Sequence, residues 1–151
     1  MDYDIELTEL KDQTAAVVHG EVPVDGIGTF VGEAFEKVMA ALSQVGASPV
    51  GPPFARFDMH EDTFVIDAGF PCGGTTLDGG DVRMTHLPAG LAAQTTHIGS
   101  YRAVAGAYGA LEEWIREHGY QPAGMPWETY LDGPEVMNPR TIITWPIEGR
   151  G

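Results

Sequence analysis

"GASPVGPPFARF" (Gly46–Phe57) and "GYQPAGMPWETY" (Gly119–Tyr130) carry the same punctuation at an offset of 73 residues. Gly46 meets Gly119, Pro49 meets Pro122, Gly51 meets Gly124 and Pro53 meets Pro126. Phe54 falls on Trp127 and Phe57 on Tyr130. Glycine and proline are the residues that fix backbone turns, so matched glycines and prolines mean matched turns. The two stretches are read as two copies of one supersecondary unit.

The residues upstream of each copy agree. In "FVGEAFEKVMAALSQVG", Val31, Ala34, Phe35, Val38, Leu42 and Val45 recur at helical spacing and predict one apolar stripe. Glu33 and Lys37 form an i,i+4 pair on a neighbouring face, and Gly46 suits the left-handed position that ends a helix. In "SYRAVAGAYGALEEWIREHG", Ser100 is the expected N-cap. Val104, Ala107, Tyr108, Leu111 and Ile115 form the stripe, and Gly119 closes the helix.

Segments rich in β-branched and aromatic residues flank each helix: "DIELTEL", "TAAVVHGEV", "PFARFDM" and "TFVIDAGFP" around the first, "DVRMTHL", "LAAQTTHIG", "PWETYLD" and "RTIITWPI" around the second. The expected class is α+β: two pseudo-symmetric strand-helix-strand-strand repeats in a mostly antiparallel sheet. The two long helices are expected on one face, with a ligand cleft between the repeats. Residues 1–151 are read as a single domain, repeat one about 3–73 and repeat two about 80–148. "GGTTLDGGD" lacks the Gly-Lys-Ser/Thr of a phosphate loop and reads as a linker.

Composition narrows the function. With 22 acids against 8 bases, the formal charge of −14 opposes nucleic-acid and anionic-membrane binding and attracts cations. No apolar run reaches the roughly 18 residues of a membrane span, and "MDYDIELTEL" lacks a signal-peptide pattern, so a cytoplasmic location is expected. The single cysteine, Cys72, has no neighbouring base and reads as a small strand-end residue. The five histidines show no metal-ligand spacing and no nucleophile elbow occurs, so neither metal nor cofactor is expected.

One acid stands out. Strand alternation puts Glu128 and Tyr130 on one face, Trp127 and Thr129 on the other. At the repeat offset Glu128 falls on Ala55 and Tyr130 on Phe57, so the first copy is apolar where the second carries a carboxylate. Glu128 is either a strand-edge charge in water or a cleft carboxylate with a raised pKa. Phe54 and Trp127 are expected beneath the helices. Trp145 falls on Phe70 at an offset of 75, and both precede proline; such aromatics sandwich a flat ligand or fill the core. Tyr101 opens the second helix, where a helix-start staple is one reading. His97 either orients Glu128 or a ligand, or is a hydrogen-bonded structural histidine.

The order "HIGSY", "EEWIREHGY", "PWETY", "ITWPI", with weaker matches in "VVHGEV" and "DAGFP", resembles the GyrI-like small-molecule-binding domain. That domain is the effector-binding part of multidrug-sensing MerR-type and AraC-type regulators. The resemblance runs from about Tyr3 to Ile147. It implies a hydrophobic cleft with Glu128 at its floor, complementing cationic aromatic drugs, and with Tyr130 beside it. The resemblance also implies a pocket aromatic at Tyr101; with the residues singled out above, the candidate ligand-binding set is Glu128, Tyr130, Trp145, Tyr101, Phe57, Phe70 and His97.

Three functions follow. The first is a stand-alone binder of aromatic, cationic drug-like or natural-product ligands, with no DNA-binding segment before the first repeat. The second, implied by hydrolase-like family members, is an enzyme opening reactive cyclopropane rings with Glu128 as acid or base and Tyr130 as donor. The third, ranked last, is an interaction protein shielding gyrase or partnering a regulator.

Overall fold

The computed structural model describes residues 3–74, 77, 80–100, 103–133 and 135–149. In chain order these form β1 (Glu6–Leu10), β2 (Gln13–Pro23), a 3-10 turn (Val24–Gly26), α1 (Ile27–Gln44), β3 (Phe54–His60), β4 (Thr63–Pro71) and β5 (Val82–Leu87). β6 (Gly90–Ile98), α2 (Ala105–Glu117), β7 (Tyr120–Pro122), β8 (Trp127–Tyr130) and β9 (Arg140–Gly149) complete the series. The class is α+β, as the sequence predicts. The chain divides into two compact units: a first of Asp12–Leu87, and a second of Met1–Lys11 with Pro88–Gly151.

In the first unit the strands run β5-β2-β4-β3, all antiparallel. Helix α1 covers one face. Its Ala34, Val38 and Leu42 are buried, and its Phe35 ring lies 5.6 Å from Phe70 of β4. Full burial of a valine or leucine contributes about 1.5–3 kcal/mol, so this stripe anchors the helix. The predicted stripe runs one turn too far: Val45 is the C-cap and 47% exposed, since the chain is already leaving the helix there. Lys37 pairs with Asp81 at 3.1 Å, where the sequence suggests Glu33. Gly46 takes the predicted left-handed conformation, φ 73°. Cys72 is buried beside the bridge to Pro49, and burial pushes its thiol pKa up, consistent with a packing role.

In the second unit the order is β1-β6-β9-β8, again antiparallel, with β7 on the far end of β9. Ala107, Leu111 and Ile115 of α2 pack with Ala93, Ile143 and Ile147 of the sheet. Gly119 ends the helix with φ 80°, matching Gly46. Ser100, the expected N-cap, precedes the helix, and its carbonyl accepts from the Ala103 N–H at 3.0 Å. The helix then begins at Ala105, with Val104 as its cap and no side-chain bond. The short β7 escapes sequence reading because three residues show no periodicity. Trp114 fixes this corner by stacking on His118 at 4.2 Å and on Tyr120 at 6.0 Å.

Pairing exchanges the leading strands of the two repeats. β1 pairs with β6 and β5 with β2, rather than each with its sequence neighbour. The links Lys11-Asp12 and Pro88-Ala89 explain this. Neither offers the glycine or asparagine that a two-residue hairpin turn needs at positive φ.

Candidate ligand-binding site

Register decides what Glu128 faces. On β8 and β9, Glu128 lies across from Ile143 and Tyr130 across from Thr141. On β9 and β6, Ile143 lies across from Thr95 and Thr141 across from His97. Ile143 belongs to the core under α2, so Glu128, Tyr130, Thr141 and His97 share the helix-covered face. Trp127 lies across from Thr144 on the opposite face. Phe54 likewise points away from α1, lying across from Gly69 while the α1 neighbour Phe70 alternates to the other side. The alternation is as predicted, and the side covered by the helices is the reverse. Period two separates two faces without saying which one receives a helix.

Glu128 is only 8% exposed. The Tyr108 hydroxyl donates to Oε2 at 2.7 Å, and the Tyr130 hydroxyl to Oε1 at 3.0 Å. Burial raises the carboxyl pKa above its ordinary value, while the Tyr108 and Tyr130 hydrogen bonds and the nearby His97 pull it back part of the way. Burial, reinforced by the Glu128 charge, pushes the Tyr108 phenol well up, so it remains a donor. Among the described residues no lysine or arginine forms an ion pair with Glu128. The carboxyl is held by two phenols, with no lysine or arginine paired to it among the described residues.

Trp145 stands on the same face, its ring 6.1 Å from Tyr108 and edge-on to it. His97 is buried; its Nε2 lies 2.8 Å from the Ser100 carbonyl. A carbonyl only accepts, so Nε2 donates to it; Nδ1 lies 2.8 Å from the Tyr3 hydroxyl. A hollow of about 490 Å³ at the end of β6 is lined by Tyr3, His97, Ser100, Gly106 and Asn138 among others; Glu128 is not in its wall. Tyr101 lies outside the described residues. Phe57 and Phe70 belong to the first unit. Phe57 sits edge-on to Phe64 at 6.5 Å, and Phe70 contacts Phe35.

Comparing the two units by register exposes a pattern. Under α1 the first unit carries Phe35, Ala55, Phe57 and Phe70; under α2 the second carries Tyr108, Glu128, Tyr130 and Trp145. Ile66, across from Phe57, corresponds to Thr141, across from Tyr130. One copy is an apolar core, and the other has a polar atom at each of these places. The sequence pattern marks Tyr108 only as part of the helix stripe. The repeat offset of 73 that pairs Glu128 with Ala55 also pairs Tyr108 with Phe35, and that signal would have found it.

Residues 3–148 match the GyrI-like small molecule binding domain. This chain belongs to the GyrI-like family. Its fold is similar to the EcmrR C-terminal domain at TM-score 0.85 and 20% identity, over 99% of this chain and 100% of that one. A structure described as a hydrolase from Listeria innocua matches this GyrI-like chain at TM-score 0.70 and 14% identity, over 95% of this chain and 91% of that one. SAV2435 bound to tetraphenylphosphonium matches at 0.70 and 15%, over 99% and 95%. No curated protein matches the chain. Among the described residues of this GyrI-like domain, no side-chain cluster could hold a metal ion. Among the same residues, no helix is long and apolar enough to cross a membrane.

Proposed function

We propose that this GyrI-like domain binds aromatic cations, with Glu128 as the charge-selecting group and Tyr108, Tyr130 and Trp145 around it. The observation that carries the reading is a buried carboxylate held by two phenols and paired with no lysine or arginine among the described residues. A buried charge without a counter-ion is costly, and a ligand cation relieves that cost. Aromatic rings add a face that attracts cations. The net charge of −14 draws cations toward the chain.

Tetraphenylphosphonium, the ligand named with SAV2435, is a suitable probe. Its binding is measured by tryptophan fluorescence against neutral triphenylphosphine oxide. Glu128→Gln keeps the shape and can still bond both phenols. It is expected to weaken the cation by about tenfold, the equivalent of 1.4 kcal/mol, and to leave the neutral probe unchanged. Equal affinity of wild type and Glu128→Gln for the cation overturns the reading.

A second reading has its own support. A carboxyl whose pKa is raised by burial holds a proton that it can deliver, and a phenol stands on each of its oxygens. Such a group suits opening a strained cyclopropane: as the ring C–C bond breaks, the carboxyl protonates the departing carbon, and water adds to the other carbon and returns its proton to the carboxylate. The fold likeness to the Listeria innocua hydrolase is compatible with this reading. Mass spectrometry of a cyclopropane-bearing alkylator incubated with the protein tests it. A water adduct formed no faster than with Glu128→Gln excludes the enzyme.

A further inference from the structure

Among the described residues, three buried side-chain polar atoms have no hydrogen-bond partner: Arg56 Nε, Thr141 Oγ1 and Trp145 Nε1. Two of the three stand on one strand around Glu128. Ile143 lies directly across from Glu128, and Thr141 and Trp145 are the residues two before and two after it. Both are therefore diagonal neighbours of Glu128 on the α2 face, roughly 7–8 Å away between Cα atoms. Thr141 is wholly buried, between His97 and Tyr130 in register. The two nitrogens of His97 are engaged by Tyr3 and Ser100.

An unpaired buried polar group costs about 1–3 kcal/mol, so native proteins rarely keep one without use. Folding does not require either group here. The equivalent residues of the first unit, Ile66 and Phe70, fill the same positions with apolar side chains. The second unit has exchanged them for a hydroxyl and an indole N–H, and the fold provides neither with a partner.

We infer that Thr141 Oγ1 and Trp145 Nε1 are reserved for the ligand, and that the preferred ligand carries hydrogen-bonding oxygens beside its cationic centre. The Trp145 N–H can only donate, so it requires an acceptor such as a carbonyl or ether oxygen. The Thr141 hydroxyl takes an acceptor or a donor. The substrate class narrows from lipophilic aromatic cations to oxygenated aromatic cations. This inference rests on the cation-binding role proposed for Glu128.

The probes are N-methylquinolinium ions in matched pairs, one bearing methyl and the other acetyl at the same ring position, taken through the ring isomers. Wild type is expected to bind at least one acetyl isomer about tenfold more tightly than its methyl counterpart, the 1.4 kcal/mol of one good hydrogen bond. In Trp145→Phe or Thr141→Val that ratio falls to about one. The urea midpoint of the ligand-free protein stays level or rises in Thr141→Val, which removes the unsatisfied hydroxyl at nearly constant shape. Ratios near one for every wild-type pair overturn the inference. So does a preserved ratio in both variants, or a lowered midpoint in Thr141→Val, which means that its hydroxyl serves an internal partner or trapped water. Glu128→Gln separates the two levels. If it weakens all the cations while wild-type acetyl-to-methyl ratios are near one, only the oxygen recognition fails. If it weakens none, the cation reading itself fails.

Discussion

Burial raises the pKa of Glu128, and the direction of that shift fixes how stability depends on pH. A carboxyl with a higher pKa in the folded than in the unfolded chain holds its proton more tightly when folded. Its contribution is most favourable below the unfolded value, about 4.3, and is lost as pH rises through the folded value. Glu128→Gln removes this slope. Urea midpoints of wild type and variant should approach each other at acid pH and separate toward neutrality, with the variant more stable at pH 7. A difference that is constant with pH contradicts the burial argument. Tyr108→Phe deletes a donor to the carboxylate and so raises the Glu128 pKa further. Cation affinity, which needs the ionised carboxylate, then begins to rise at higher pH than in wild type.

At the scale of elements, the β2–β4 pairing is a close contact that glycine makes available. A Cβ on Gly69 would collide with the Ala16 backbone carbonyl, and the strand has no flexible side chain there to yield. Gly69→Ala should cost about 1–3 kcal/mol, as overpacking does. Gly32 of α1 offers the opposite case: it is exposed and helical, and a methyl added there would meet nothing within 4 Å. Gly32→Ala should gain about 0.5–1 kcal/mol through lower backbone entropy. Thermal unfolding of the pair checks both signs. The eight longer strands and both helices are legible because each repeats a period over several residues. The start of α2 and strand β7 are not, since a cap and a three-residue strand are set by neighbours rather than by local pattern.

For the whole molecule the governing quantity is the charge of −14. Its long-range part is screened within a Debye length of about 8–10 Å near physiological salt. Affinity for tetraphenylphosphonium should fall between low salt and about 0.5 M chloride, while that of triphenylphosphine oxide stays level; titration calorimetry across the series reads this. Sequence alone determined the repeat, the helix and strand periods, the helix-ending glycines and the asymmetry of Glu128 against Ala55, because each is a local or periodic property of the chain. Tertiary structure decided three things. It exchanged the leading strands, because pairing depends on which edges meet and on turns that cannot close. It put Glu128 rather than Trp127 toward a helix, because alternation does not label its faces. It brought Tyr108 and Tyr130 to one carboxylate and left Thr141 and Trp145 unpaired beside it. Hydrogen-bond satisfaction depends on atoms from distant segments meeting at about 3 Å, a condition that no single stretch of sequence contains.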